Sequence, residues 1–413
     1  MATWPVKRMD ELCEITSSKR IFAADYVSEG VPFYRGREIT EKYKGNLDVS
    51  TELFITEEKF SEIERKFGAP KSGDLLLTSV GTLGSVYVVK PSDRFYFKDG
   101  NLTWFRNFQE LDSRFLYYWL GSPQGKAELQ KATIGSSQSA FTIVLLKGME
   151  MELPPLPVQR RIAGILSAYD ELMENSQRRI RLLEAMARAL YREWFVHFRF
   201  PGHEKHPRVA SPLGDIPQGW EVLPISTIAN IVLGGTPSRS INEYWYGGTI
   251  PWLKSGKLND LRVIEGSELI TARGFEMSAT KLMPPKTVLV AITGAILISF
   301  LEIEACANQS VIGIYETKKV CPEYLHIYLS ENISLFESKM SGSAQQHINK
   351  DIVEQTLVLV PHEKPGYAFR LFVQPLYEEI ALLLFKIQNL RRTRDLLLPR
   401  LLSGQVHQIK TEP

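Results

Sequence analysis

The chain has 413 residues, of which 44% are hydrophobic and 23% are charged, and its formal net charge is +2. This length predicts two or three domains with sizeable cores, and the composition excludes a disordered or fibrous chain. The mild positive charge permits a nucleic-acid partner without requiring one, because basic side chains can be collected on one face.

Cysteine usage and targeting signals indicate the compartment. Cys13, Cys306 and Cys321 lie far apart with no C-x-x-C pair, which argues against a zinc ribbon or a disulfide framework. The N-terminus does not resemble a signal peptide, and apolar runs such as 287–298 are too short to span a membrane. We therefore expect a cytoplasmic protein with reduced thiols and no membrane partner.

Short strands and helices are predicted in both halves of the chain. β-Branched and aromatic runs bounded by Gly, Pro or Asp predict strands, and longer runs with helical spacing predict helices. In chain order these are strands at 74–79 and 85–89, a helix at 112–120, strands at 287–292 and 310–315, and a helix at 322–339.

Each half ends in a long helix with a coiled-coil pattern. Between 162 and 194, apolar residues recur in alternating steps of four and three, and nine of ten seam positions are apolar. Between 376 and 401 a similar 3.5-residue period recurs. Pro375 suits the start of this second helix, whereas Pro399 should kink or end it. The helices would most simply pair with each other; the alternative buries each in its own domain.

Arg394 occupies a seam position of the second helix. A charge buried in a seam needs a partner. We expect it to fix the helix register or to pair with a carboxylate across the seam.

The chain contains an internal duplication. Five short segments of the first half recur in the same order in the second half, at offsets of 216, 219, 213, 209 and 207 residues. For example, 74–81 matches 287–294, and 135–138 matches 342–345. The offset drifts slowly, as loops of different length would cause, so the halves should share one fold and present different surfaces.

The duplication and the helices predict the domain organisation. We expect two similar mixed α/β (α+β) domains at 1–157 and 201–368, separated by spacer helices at 158–200 and 369–413. A duplicated unit with a helix at each end can place its copies about a pseudo-two-fold axis, with the helices antiparallel. Duplex DNA has the same local symmetry, so two half-sites on one duplex are a natural target.

Three stretches resemble motifs of one family, the type I restriction–modification specificity subunits. The run LPPLPVQRRIAGIL at 153–166, followed by Asp170, resembles their central conserved region. The run RDLLLPRLLSG at 394–404 resembles the signature that closes their second helix, and the G-T-P-S run at 235–238 resembles the opening of a target-recognition domain. The first half departs from this pattern, because it has only TSSKR at 16–20.

The resemblance implies an architecture and partners. Each target-recognition domain would read one part of a bipartite double-stranded DNA target, and the paired helices would act as a ruler. Two methyltransferase (modification) subunits would dock around the helices, and translocase–nuclease (restriction) subunits can join them. The chain itself would bind no cofactor, whereas its partners would use S-adenosylmethionine, and ATP and Mg when restriction subunits join.

Known catalytic motifs are missing from the sequence. There is no phosphate loop, H-E-x-x-H or G-x-S-x-G, and the MPPK run at 283–286 is not the N/D-P-P-[FYW] motif of adenine methyltransferases. We therefore expect a non-catalytic subunit without a metal site. Two other functions stay open, a coiled-coil assembly adaptor that binds only protein and an enzyme with a divergent site.

The predicted DNA-binding residues are small polar or basic side chains in loops. Base reading needs donors and acceptors, and phosphate binding needs cations; the simpler alternative for each residue is a solvated charge or a turn. The first half contributes Arg35, Arg37, Lys42, Lys44, Thr78, Ser79, Thr82, Ser136, Ser137 and Gln138. The second half contributes Thr236, Ser238, Arg239, Lys254, Ser255, Lys257, Thr293, Ser343, Gln345 and Gln346.

Four tryptophans are expected to anchor the core or loops rather than to stack on bases. They are Trp104, Trp119, Trp245 and Trp252.

Overall fold

A computed structural model describes residues 4–46, 49–135, 139–340 and 347–404. It divides into two compact units: unit 1 comprises Met1–Glu174 with Gln388–Pro413, and unit 2 comprises Asn175–Ile387. Six predicted DNA-binding residues lie outside the described residues, namely Ser136, Ser137, Gln138, Ser343, Gln345 and Gln346.

Unit 1 is built on a four-stranded antiparallel sheet in the order Glu14–Thr16, Leu102–Arg106, Leu75–Thr78 and Val86–Val88. A three-stranded sheet has the order Phe54–Ile55, Val31–Tyr34 and Tyr96–Phe97. Two further pairs join Val6–Arg8 to Glu150–Glu152 and Thr133–Ile134 to Ala140–Phe141. The helices are Met9–Leu12, Ala23–Asp25 (3-10), Gly36–Tyr43, Glu57–Phe67, Ser113–Gly121, Pro123–Lys131 and Ile143–Lys147.

Unit 2 is built on a five-stranded sheet in the order Asn230–Leu233, Val311–Tyr315, Val288–Ala291, Leu297–Leu301 and Arg262–Val263. A three-stranded sheet has the order Glu268–Ile270, Ile250–Leu253 and Cys306–Ala307. Two further pairs join Glu221–Pro224 to Leu357–Val360 and Arg208–Val209 to Ile216–Pro217. The shorter helices and 3-10 turns are His203–Lys205, Ile225–Ile228, Asn242–Tyr244, Ser255–Asn259, Ala272–Glu276, Pro322–Glu331, Ser334–Glu337 and Lys350–Glu354.

The strand order of unit 1 recurs in unit 2. The four strands of the larger sheet match in order and direction, and unit 2 adds Arg262–Val263 at one edge, parallel to its neighbour. The three-stranded sheets also match, each with one antiparallel and one parallel pair. The structure thus confirms the predicted duplication and the mixed α/β class.

Burial explains why the central strands are apolar without alternation. Leu75 and Leu77 belong to one core cluster and Leu76 to another, so both faces of this strand are covered. A strand covered on both faces needs apolar residues at every position. The predicted strands at 74–79, 85–89, 287–292 and 310–315 are confirmed within one or two residues.

The two long helices are Leu156–Tyr191, which continues as a π-helical turn over Arg192–Val196, and Glu363–Leu402. Inside unit 1 their pairing includes an ion pair between Asp170 and Arg394. Inside unit 2 it includes an ion pair between Arg179 and Glu379 and a ring contact between Trp194 and Phe369. In unit 2 residue numbers rise along one helix as they fall along the other, so the predicted antiparallel pairing is confirmed.

The second long helix differs from its prediction at its start and at Pro375. It begins at Glu363 rather than at 369, and it runs through Pro375 and Pro399 to Leu402. Placing Pro375 at the helix start was therefore wrong. Phe369 and Val373 are buried in the unit 2 core, and their packing offsets the main-chain hydrogen bond that proline removes.

The helix predicted at 322–339 is broken into Pro322–Glu331 and Ser334–Glu337. The Asn332 side-chain amide donates to the Tyr328 carbonyl at 2.8 Å. The same carbonyl also accepts from the Asn332 main-chain N–H at 3.1 Å, so both donors of Asn332 bond to the last turn of the first helix.

The compact units also divide the chain differently from the four predicted segments, because each unit includes parts of both long helices. Ile162 and Leu402 share the unit 1 core, and Ala187 and Phe369 share the unit 2 core. The bounds of the four predicted segments stay a prediction. No helix among the described residues has the length and apolar character needed to cross a membrane.

Candidate nucleic-acid interface

The predicted DNA-binding loop at 78–82 is paired through its main chain with the strand Ala140–Phe141. The Phe141 N–H donates to the Ser79 carbonyl at 3.0 Å, and Val80 forms an antiparallel bridge with Ala140. The loop at 78–82 therefore lies beside the strand that follows the predicted residues 136–138. The fold thus pairs two segments that are about 60 positions apart in sequence.

Unit 2 repeats this contact at the corresponding positions. The Ile348 N–H donates to the Ile292 carbonyl at 3.0 Å, and Thr293 bridges His347. Gly81 and Gly294, next to the two bridges, share a left-handed φ of 80° and 77°, which glycine adopts without steric cost. The duplication therefore extends to the main-chain geometry of the loops, while their side chains differ.

The polar side chains of the 78–82 loop have two roles. Thr78 is buried, and its hydroxyl donates to the Thr82 carbonyl at 2.5 Å and accepts from the Ser85 N–H at 2.9 Å. Ser79 is also buried, with its hydroxyl 2.7 Å from that of Thr103. Thr82 is exposed at the tip. Thr78 and Ser79 thus support the loop, and Thr82 is the member presented to solvent; direct DNA contact by any of them stays a prediction.

The predicted cations of unit 1 are held by carboxylates. Arg35 and Arg37 both contact the fully buried carboxylate of Glu38, at 3.3 and 3.1 Å. Gly36 lies between them, and a Cβ at this position would be 4.0 Å from the Val80 carbonyl. The start of helix Gly36–Tyr43 therefore lies beside the 78–82 loop, and Arg37 projects into solvent there.

The two lysines of this helix differ in exposure. Lys42 is largely buried, pairs with Asp93 at 3.1 Å and lies over the Tyr87 ring. Lys44 is exposed and pairs with Glu41 at 3.1 Å. Of the two, only Lys44 has its ammonium group exposed to solvent, and its contact with DNA stays a prediction.

In unit 2 two predicted cations share one carboxylate. Arg239 and Lys254 both form ion pairs with Glu268. Hydrogen bonding from Arg239 and then from Lys254 lowers the pKa of Glu268 below its usual value. The Arg239 guanidinium also lies 3.6 Å from the Trp245 ring centroid, a cation–π contact. This arrangement holds two exposed cations on one face.

The remaining predicted residues of unit 2 surround the cluster or lie apart from it. Ser238 is exposed, with its hydroxyl 2.9 Å from that of Ser240, and Ser255 is half-buried. Lys257 is mostly buried and bridges Asp260 and Glu265 at 3.1 and 3.3 Å. Lys257 therefore has a structural role in this conformation, and its contact with DNA stays a prediction.

A hollow of about 560 Å³ lies beside the paired loops of unit 2. Its polar lining includes Thr293, Gln309, His347 and Lys350, between the apolar side chains of Leu233 and Ile292. The predicted Thr236 hydroxyl donates to the Gln309 amide oxygen at 2.5 Å. Amide and ammonium groups beside an apolar wall are suited to reading base edges.

Gln309 and Lys350 were not among the residues predicted from the sequence. Gln309 meets Thr236 because the strands Asn230–Leu233 and Val311–Tyr315 pair. Lys350 begins the helix Lys350–Glu354, whose N-cap is Asn349. No local sequence motif marks either residue, because tertiary packing brings them to this hollow. The G-T-P-S run at 235–238 was the sequence signal for this part of unit 2.

The tryptophan prediction is confirmed. Trp104, Trp119 and Trp252 are buried in core clusters. Trp245 is half-buried, packs against Trp252 and donates its indole N–H to the Ser238 carbonyl at 3.1 Å. It therefore anchors the loop that carries Ser238 and Arg239.

Comparisons with known proteins assign the family. The profile described as "Type I restriction modification DNA specificity domain" matches residues 1–185 and 217–366, once in each half. The type I restriction enzyme MjaIX specificity subunit of Methanocaldococcus jannaschii is 26% identical, with 98% of this chain and 93% of that protein aligned. The HindI specificity subunit of Haemophilus influenzae is 21% identical, with 82% of this chain and 87% of that protein aligned.

A solved structure has the same fold. The crystal structure of the type I restriction-modification system S subunit from M. genitalium superposes with a TM-score of 0.62 at 16% identity, covering 96% of each chain. The family predicted from the motifs at 153–166 and 394–404 is thereby confirmed. Because the profile covers far more than half of the sequence, this chain belongs to the type I restriction–modification specificity family, whose domains recognise specific DNA sequences.

Proposed function

We propose that this chain is the non-catalytic subunit that selects the DNA target of a type I complex, with one part of a bipartite site read by each half. The observation that carries this proposal is the repeated contact between Ser79 and Phe141 in unit 1 and between Ile292 and Ile348 in unit 2. Because the two halves share the main-chain geometry of these loops and differ in the side chains, each half can recognise a different DNA sequence. Thr82 and Arg37 would face one half-site, and Gln309 and Lys350 the other.

The long helices present apolar side chains that suit partner docking. Exposed apolar residues on them include Leu172 and Leu396 in unit 1 and Leu182, Met186, Leu371, Phe372 and Leu382 in unit 2. Apolar surface exposed in this way is typical of protein interaction sites. We propose that two methyltransferase subunits cover these positions and that restriction subunits can join them in the cytoplasm. S-adenosylmethionine, and ATP and Mg for restriction, would then be used by those partners.

The decisive experiment maps methylated adenines in DNA from cells that hold this chain and its methyltransferase. The wild type should modify a two-part sequence with an unread gap. Gln309→Ala with Lys350→Ala should relax the bases of one part and leave the other unchanged, at about 1–3 kcal/mol per lost base contact. Lys318→Ala, an exposed lysine outside the hollow, is the matched control.

Two results would contradict the proposal. One is a continuous target with no gap. The other is a complex that binds DNA without any dependence on salt or sequence, since phosphate contacts make binding salt-dependent. If neither the wild-type chain nor its complex with the methyltransferase binds DNA, the result would favour the alternative of a coiled-coil adaptor that binds only protein.

A further inference from the structure

A basic hollow of about 260 Å³ lies in unit 2 where the chain leaves the first long helix. The helix ends in the π-helical turn Arg192–Val196, and Phe198 then adopts a left-handed φ of 58°. A π-helical turn and a left-handed φ at a residue other than glycine are both uncommon, and such backbone features concentrate at functional sites. Together with the strand pair Arg208–Val209 and Ile216–Pro217, they bring residues 197–208 around one hollow.

The polar lining of this hollow is entirely basic or imidazole. It comprises His197, Arg199, His203, His206 and Arg208, with no aspartate or glutamate among the lining residues. Two carboxylates lie outside the lining but close to it. Glu193 pairs with Arg199 at 3.3 Å, and Glu204 lies 3.4 Å from the Nδ1 of His203.

Arg208 is the cation best placed for a ligand. Its guanidinium lies 5.0 Å from the Phe198 ring centroid, and no carboxylate of the described residues forms an ion pair with it. A cation–π contact holds the guanidinium by its face and leaves its in-plane N–H groups for an acceptor. The planar fork of arginine matches the oxygens of a phosphate group.

Aromatic rings beneath the hollow orient the imidazoles of His203 and His206. The rings of His203 and His206 meet the buried Phe200 ring at 6.2 and 5.3 Å, and Phe200 packs on Trp220 at 5.2 Å. His203 Nδ1 lies 2.9 Å from the Phe200 carbonyl. Because a carbonyl only accepts, Nδ1 donates here, and Nε2 can donate to a phosphate oxygen only as part of an imidazolium. The indole N–H of Trp220 is buried without an acceptor among the described residues.

We propose that this hollow binds a phosphate group, through Arg208 with support from Arg199 and the imidazoles. Its volume is below the range typical of sites for larger organic ligands, which suits a single small oxyanion. Metal binding is not favoured, because no group of three or more His, Cys, Asp or Glu in the described part of the chain is arranged to hold a metal ion. The phosphate can come from a DNA backbone or from a free phosphate compound. Phosphate binding in this hollow is independent of the bases that the chain reads.

The test is calorimetric titration of the full chain with inorganic phosphate at constant ionic strength. The wild type should bind phosphate saturably. Arg208→Gln should weaken this binding by about tenfold or more, because it removes a charge-assisted contact. Lys205→Gln, an equal charge change three positions away and outside the lining, should change it by less than about twofold.

Arg208 is exposed, so Arg208→Gln should fold normally, which circular dichroism and urea unfolding would verify. Absence of saturable phosphate binding by the wild type, or equal weakening by both variants, would overturn the proposal. A short DNA duplex without the target then identifies the source. Displacement of phosphate by the duplex assigns the hollow to a backbone phosphate, and failure to displace it assigns the hollow to a free phosphate compound.

Discussion

Arg394 and Asp170 form an ion pair between the two long helices, with 2.5 Å between Nη1 and Oδ1. The other carboxylate oxygen of Asp170 accepts from the Tyr118 hydroxyl at 2.6 Å. Tyr118 belongs to helix Ser113–Gly121 of the first recognition domain. One carboxylate therefore links both long helices to the core of unit 1. The sequence prediction that Arg394 finds a carboxylate across the seam is confirmed.

Arg394→Met should lower the free energy of unfolding of unit 1 by about 1–3 kcal/mol, because it leaves a half-buried carboxylate without its cation. Urea unfolding followed by circular dichroism measures this. The control is Arg179→Met, since the pair of Arg179 with Glu379 joins the same helices but is exposed and should contribute at most about 1 kcal/mol. Equal effects of both variants would contradict a special role for Asp170.

Thr78→Val should destabilise unit 1 by about 1–3 kcal/mol, whereas Thr82→Val should change stability by less than about 0.5 kcal/mol. The buried hydroxyl of Thr78 bonds to two main-chain groups of the loop, and Thr82 is exposed. Thr82→Val should instead reduce affinity for target DNA in a complex with the methyltransferase. Gel-shift titration measures this, and unchanged affinity would remove Thr82 from the interface.

Glu268→Gln should raise affinity for non-specific DNA and steepen its salt dependence, because Arg239 and Lys254 lose the carboxylate that neutralises them. Each cation freed for a phosphate adds about 0.9 to the slope of log affinity against log salt. Glu243→Gln is the control, since Glu243 pairs with Arg273 at 3.1 Å in an exposed position. Equal slopes for both variants would show that the Glu268 cluster does not face DNA.

The ion pairs of Glu268 with Arg239 and Lys254 should persist unchanged across the neutral pH range. The pKa of Glu268 is lowered from 4.5, first by hydrogen bonding from Arg239. A depressed carboxyl pKa stabilises the folded state above the unfolded value, and this contribution is lost only as pH falls through the lower folded value. The difference in salt slope between Glu268→Gln and the wild type should therefore be the same at pH 6 and pH 8.

Unit 2 should lose stability below about pH 6.5 through His326. Burial, followed by the charges of Arg262 and Arg188, lowers the pKa of His326 well below 6.5. The unfolded chain then binds a proton that the folded chain does not, so stability falls by up to about 1.4 kcal/mol per pH unit below that value. Hydrogen exchange in helix Pro322–Glu331 at pH 7.5 and 5.5 measures this, with His326→Gln as the comparison. An unchanged pH dependence in that variant would exclude His326 as the cause.

Insertion of seven residues in each long helix should change the number of unread base pairs without changing the bases read. The loops that carry Thr82 and Gln309 are outside both helices, and one heptad adds about 10 Å of helix. Methylation mapping of the modified chain with its methyltransferase measures the gap. An unchanged gap would contradict the prediction that the helices act as a ruler.

The mixed α/β class, the long helices and the family were available from the sequence because each has a local signature, and the duplication was available because short segments recur in the same order in the second half. Apolar runs at 74–79 and 287–292 mark covered strands, the 3.5-residue period marks the helix seam, and the motifs at 153–166 and 394–404 mark the family. Such signals need only neighbouring residues, so they survive without knowledge of the fold.

Tertiary structure alone decided which polar residues share a surface. Lys42 and Lys44 are two positions apart, yet packing buries the first against Asp93 and leaves the second exposed. Gln309 joins Thr236 across a strand pair, and Pro375 stays inside a helix because Phe369 and Val373 are held in the core. These outcomes depend on contacts between residues distant in sequence, whose packing energy overrides local preference.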